Sequence, residues 1–137
     1  MTGILVVTHA NLASTLIETL EFILGKKQEN MLPISIDIKE DPDSLRKKIK
    51  QGISKLMSDS GVLIFTDMFG GTPSNLAYSF LEEGKIEVIS GVNLPLLLKT
   101  VTAREKMDME TLTTSLVEHG KRSISLASGI LKGTKRS

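Results

Sequence analysis

Residues 4–15 read ILVVTHANLAST, and this stretch decides the fold. Ile4, Leu5, Val6 and Val7 form an unbroken, largely β-branched apolar run. A run this short and this apolar suits a strand buried on both faces, as in a parallel sheet covered by helices. His9 closes the run, and helical spacing follows almost at once through Leu12, Leu16, Leu20, Ile23 and Leu24, with Gly25 as the stop. A histidine there stands at the carboxyl edge of the sheet, where α/β proteins bind ligands.

The same strand-then-helix unit recurs along the chain. MLPISI (31–36) is a second short strand, and Pro33, which lacks an N–H to donate, marks it as an edge. EDPDSLRKKIKQGISKLM (40–57) reads as a helix with Asp43 as N-cap and Leu45, Ile49, Ile53 and Leu56 as its buried stripe. GVLIFT (61–66) resembles the first strand. After a Gly-rich turn a third helix starts near Pro73 and carries Leu76, Phe80 and Leu81. KIEVIS (85–90) is a fourth strand, and helical segments follow over 94–103 and 109–118. SISLA (123–127) alternates polar and apolar, which predicts a short strand with one wet face. Such a strand can pair with its own sheet or be exchanged with a second copy of the chain.

The expected fold is therefore α/β: a flavodoxin-like, mostly parallel sheet of order 2-1-3-4 flanked by helices, with a short C-terminal strand appended. The 137 residues suit one domain over 1–130, followed by a basic flexible tail over 131–137. In that topology the switch point lies between strands one and three, so His9 and Asp67 meet.

Composition narrows the function. Lys and Arg number 17 against 16 Asp and Glu, a net charge of +1, and there is no Trp and a single Tyr. Neither the electrostatic footprint nor the stacking platform of a nucleic-acid binder is present. Without cysteine there is no disulfide or thiolate metal site, which suits a reducing cytoplasm. No apolar run reaches the roughly 18 residues of a membrane helix, and the N-terminus does not read as a signal peptide.

The chemistry concentrates in His9 and FTDMFGGTPSN (65–75). An Asp at a strand end can accept from one imidazole nitrogen, fixing the tautomer and leaving the other nitrogen as a nucleophile toward phosphorus. Gly70 and Gly71 allow backbone N–H groups to turn toward an anion. Thr72 can cap the third helix, with Pro73 in its first turn. Phosphoryl transfer asks chiefly for positioning and electrostatics. Each piece also has a structural reading: His9 as a hydrogen-bonded strand end, Asp67 as a turn residue, GGTP as an ordinary helix entry. His119, late in a helix before Gly120 as the expected C′ residue, suits the helix dipole, and Lys47, Lys48 and Lys50 suit a solvated face. A receiver domain would also place an aspartate after strand three, but it needs an acidic pair after strand one to hold magnesium, where this chain has Thr8 and His9.

At these residues the sequence resembles the IIA component of the mannose-class sugar phosphotransferase system. ILVVTHANLAST, VLIFTDMFGGTPSN and EVISGVNLPLLLKTV are similar to three family landmarks in the right order, and the likeness spans about residues 3–128. The resemblance implies a phosphotransferase working through a phosphohistidine. His9 accepts the phosphoryl group from the phosphocarrier HPr and passes it to a histidine of the IIB component. Asp67 orients His9, and Gly70, Gly71 and Thr72 hold the phosphate. It further implies a cytoplasmic homodimer with the short C-terminal strand, here SISLA, exchanged between subunits, no metal or organic cofactor, and contact with the membrane only through the permease subunits. One departure stands out. The family commonly has glycine directly after the histidine, where this chain has Ala10, which suits a first helical turn if its φ is negative. Other readings are a regulatory phospho-acceptor that controls a binding partner, a relative serving dihydroxyacetone phosphorylation, and a small-molecule binding domain.

Overall fold

The structure, a computed structural model, describes residues 1–132. Its elements run β1 (Gly3–His9), α1 (Leu12–Leu24), β2 (Met31–Ile36), α2 (Pro42–Leu56), β3 (Val62–Thr66), α3 (Thr72–Tyr78), β4 (Ile86–Ser90), α4 (Leu94–Ala103), α5 (Met109–Arg122) and α6 (Ala127–Leu131). The strands form one parallel sheet in the order β2-β1-β3-β4. Pro33 lies on the edge strand β2, opposite Val6, where a missing N–H costs no ladder bond on the solvent side.

Alternation along the two central strands builds two cores. Ile4 and Val6 of β1 and Leu63 and Phe65 of β3 pack with α1, α4 and α5 on one face. Leu5 and Val7, with Val62 and Ile64, pack with α2 and α3 on the other. These side chains are wholly buried. Each such burial is worth roughly 1.5–3 kcal/mol. Packing, more than any hydrogen bond of the site, thus fixes where the carboxyl ends of β1 and β3 stand. Among the described residues no helix is long and apolar enough to cross a membrane.

Several local expectations need correction. In α1 the buried residues are Ala13, Ile17 and Leu20, while Leu12 and Ile23 face solvent. A helix face is read from its neighbours, and the sheet lies one residue around from the leucine row. Asp41, not Asp43, is the N-cap of α2, because Pro42 takes the first helical position. The α3 helix ends at Tyr78, so Phe80 packs from beyond it and Leu81 is exposed. Gly120 is not a C′ residue: α5 continues to Arg122, and Gly120 is buried beside Leu96.

The C-terminal segment departs most. SISLA forms no strand in this chain. Ile124, Ser125 and Leu126 run unpaired and then enter α6, with Ile124 and Leu126 largely exposed. The alternation encodes an extended backbone, and in the single chain no free edge of the sheet receives it. Of the expected tail, residues 131 and 132 close α6, and 133–137 lie outside the described residues.

Candidate active site

The site forms where β1 and β3 end side by side. Thr8, the last fully buried residue of β1, turns its hydroxyl back into α1: Oγ1 accepts the Ala13 N–H at 2.8 Å and donates to the His9 carbonyl. A threonine in the strand thereby caps the helix that follows, since Asn11 at the N-cap position makes no side-chain bond. This bond holds the His9 turn from within.

Asp67 holds it from the side. Its Oδ2 accepts the backbone N–H of His9 at 2.9 Å and lies 2.7 Å from Nδ1 of the same residue. Its Oδ1 accepts the Met68 N–H. Burial pushes the Asp67 carboxyl up, but the backbone and side-chain hydrogen bonds from His9 outweigh it and leave the carboxyl below its ordinary value. An ionised Asp67 can only accept, so in the neutral imidazole Nδ1 carries the proton and Nε2 the lone pair. The His9 side chain is 37% exposed and that of Asp67 12%, so the imidazole can be reached while the carboxylate stays behind it.

The free nitrogen faces the glycine loop. A Cβ on Gly71 would lie 3.0 Å from His9 Cε1 and 3.6 Å from Nε2. Gly70 holds φ at +84°, a left-handed turn that an L side chain resists. Gly71 is the N-cap of α3, so Thr72 is its first helical residue and makes no cap bond. The expected capping role of Thr72 is corrected accordingly. Its exposed side chain stands beside the glycine pair.

Ala10 also departs from expectation, with φ at +49° rather than negative. Its N–H bonds to the Ile36 carbonyl of the neighbouring strand. The chain must leave β1 and reverse into α1 within two residues, and that bend needs the left-handed region.

The surroundings are open and partly apolar. An open cleft on the β2 side is lined by His9, Ala10, Asn11, Asp37, Ile38 and Lys48, and Ile38 is exposed. On the loop side Met68 and Phe69 project into solvent. His119 lies in the last turn of α5, as expected. Lys47 and Lys50 are exposed, and Lys48 pairs with Glu40 at 2.7 Å.

Residues 3–117 match the family model of the phosphotransferase system (PTS) fructose IIA component, EIIA-man. The PTS fructose-specific EIIA component of Bacillus subtilis (strain 168) is 29% identical over 136 residues, which cover 98% of this chain and 92% of that protein. The PTS mannose-specific EIIAB component of Escherichia coli (strain K12) is 34% identical over 124 residues, or 89% of this chain, and the match spans only 38% of that longer protein. The crystal structure of a phosphotransferase system component EIIA from Streptococcus agalactiae superposes with a TM-score of 0.84 at 26% identity, covering 93% of this chain and 98% of that one. The chain belongs to the mannose-class IIA family of the sugar phosphotransferase system.

Proposed function

Starting from that membership, we propose that the chain is a phosphocarrier in sugar uptake: Nε2 of His9 takes a phosphoryl group from phospho-HPr and gives it to a histidine of a IIB component. The single observation that carries this reading is the Asp67 carboxylate against Nδ1, which leaves Nε2 as the nucleophile. In the transfer, the Nε2 lone pair forms the N–P bond as the donor's N–P bond breaks, and the donor imidazole leaves with the electron pair. The proton on Nδ1 stays with His9 beside Asp67, which stabilises the phosphoimidazole as charge builds on the ring. Gly70, Gly71 and Thr72 hold the phosphoryl oxygens through loop N–H groups and a hydroxyl.

The shape of the site supports a protein as donor and recipient. His9 is approached across exposed Ile38, Met68 and Phe69, an apolar rim of the kind that docks against another protein. The relatives' names divide between fructose and mannose, so the sugar is left to other components. The exposed Ile124 and Leu126 suit pairing with a second copy, which makes the proposed working form a homodimer.

The test is transfer itself. Purified protein mixed with phosphoenolpyruvate, enzyme I and HPr is expected to gain one acid-labile phosphate, and His9→Ala to gain none. Adding a cognate IIB is expected to discharge it. Label that forms on His9 but reaches no IIB would instead support a regulatory acceptor.

A further inference from the structure

We propose that Ser74 is a positioning residue for transfer at His9: it clamps the Met68 carbonyl and so fixes the residue whose N–H holds the Asp67 carboxylate against Nδ1. The inference rests on the phosphoacceptor reading of His9.

Ser74 lies in the first turn of α3, fully buried, although its neighbours in sequence read as a loop-to-helix entry. Its hydroxyl donates to the Met68 carbonyl at 2.5 Å. The Met68 N–H already donates to Asp67 Oδ1. Met68 is therefore gripped on both sides, by Asp67 on the N–H of the peptide that enters it and by Ser74 on the carbonyl of the peptide that leaves it. With its only proton committed to Met68, Ser74 is an acceptor toward its other partners. Thr66 Oγ1 lies 2.5 Å away and Ser90 Oγ 3.1 Å away.

Those partners are anchored in the sheet. Thr66 and Ser90 are the last residues of β3 and β4 and face each other in register, and the single Thr66 hydroxyl proton goes either to Ser74 or to Ser90 Oγ at 2.9 Å. The Tyr78 hydroxyl meets Ser90 at 2.8 Å, and the Tyr78 ring packs against Phe69 with centroids 6.2 Å apart. The loop from Asp67 to Gly71 is thus tied to the sheet from beneath, through Ser74, and from outside, through Tyr78. Alanine at 74 would leave the Met68 carbonyl and one Thr66 or Ser90 hydroxyl short of a partner, and the loop would settle elsewhere. Phosphoryl transfer depends on position, so a shift of a fraction of an ångström at Asp67 reaches the rate.

The experiment compares wild type, Ser74→Ala and Tyr78→Phe by two readouts. The first is the ring-nitrogen NMR shifts of unphosphorylated His9, which report its tautomer. The second is the rate of labelling by phospho-HPr. Ser74→Ala is expected to raise the Nε2–H tautomer and slow labelling about 10-fold. Tyr78→Phe, which keeps the ring and loses only the hydroxyl, is expected to move both in the same direction by less. Wild-type tautomer and rate in a folded Ser74→Ala, even with a lower melting temperature, would overturn the proposal. Should Ser74→Ala fail to fold, unchanged readouts in Tyr78→Phe would overturn it. A wild type that takes no label would remove the phosphoacceptor reading instead, and the tautomer comparison would still decide whether Ser74 positions His9.

Discussion

A single oxygen of Asp67, Oδ2, engages His9 twice, at the backbone N–H (2.9 Å) and at Nδ1 (2.7 Å). The first contact locks the end of β1 to the loop after β3. The second selects the imidazole nitrogen left free. Replacing Asp67 with Ala strands two N–H groups together with that of Met68, and is expected to destabilise the protein by about 1–3 kcal/mol. Asp67→Asn retains an acceptor oxygen but no charge, and is expected to slow labelling of His9 more than it lowers stability. Denaturation curves set beside labelling rates check both.

The same pair sets an acid limit. Because the Asp67 carboxyl is held below its ordinary value by His9, its contribution to stability is fully present above the unfolded-state carboxylate range. It is lost as pH falls through the folded-state value. Around neutrality the carboxylate therefore contributes no pH dependence. Comparing stability against pH for wild type and Asp67→Asn is expected to show the two curves parallel near neutral pH and converging in acid.

Gly71 has an ordinary φ of −86°, so alanine there is tolerated by the backbone. Its methyl, however, would stand 3.0 Å from His9 Cε1, on the side of the attacking nitrogen. Gly71→Ala is expected to keep stability within about 0.5 kcal/mol while labelling of His9 falls at least about 10-fold. Equal losses in both would place the glycine's role in folding instead.

Ala10 holds φ at +49° directly after the histidine. The left-handed region costs an L residue about 1–2 kcal/mol, partly offset in glycine by greater chain entropy. Ala10→Gly is expected to stabilise the protein by about 0.5–1 kcal/mol and Ala10→Val to destabilise it. Thermal melts of the three proteins give the order.

Arg104 is nearly fully buried at the opposite end of the sheet, where its guanidinium donates to the carbonyls of Thr2, Asn30 and Glu29 at 3.1, 3.2 and 2.6 Å. It ties the end of α4 to the chain entering β1 and β2. Arg104→Met is expected to cost about 2–4 kcal/mol and leave the labelling rate per folded molecule unchanged. This makes it the control for substitutions that act on the site.

The order of the sheet was legible because three signals agreed: the doubly buried runs at residues 4–7 and 62–65, Pro33 on an edge, and turn residues between them. From that order the meeting of His9 and Asp67 followed. What escaped the sequence was decided by partners distant along the chain. Arg104 stands just beyond the helical segment over 94–103, and its burial depends on carbonyls contributed by Thr2 and Asn30. The Ser74 hydroxyl has its role only once β3 and β4 bring Thr66 and Ser90 beneath it. Alanine at position 10 argues for a negative φ, and the β1–α1 bend overrides it. In SISLA an alternating pattern specifies extension without specifying what it pairs with.

The most direct measurement is the site of attachment of phosphate on the protein labelled from phosphoenolpyruvate through enzyme I and HPr, read by ring-nitrogen and phosphorus NMR. The geometry predicts phosphate on Nε2 of His9, with the proton retained on Nδ1 beside Asp67. Phosphate on Nδ1, on another residue, or on none while both carriers are active would contradict it.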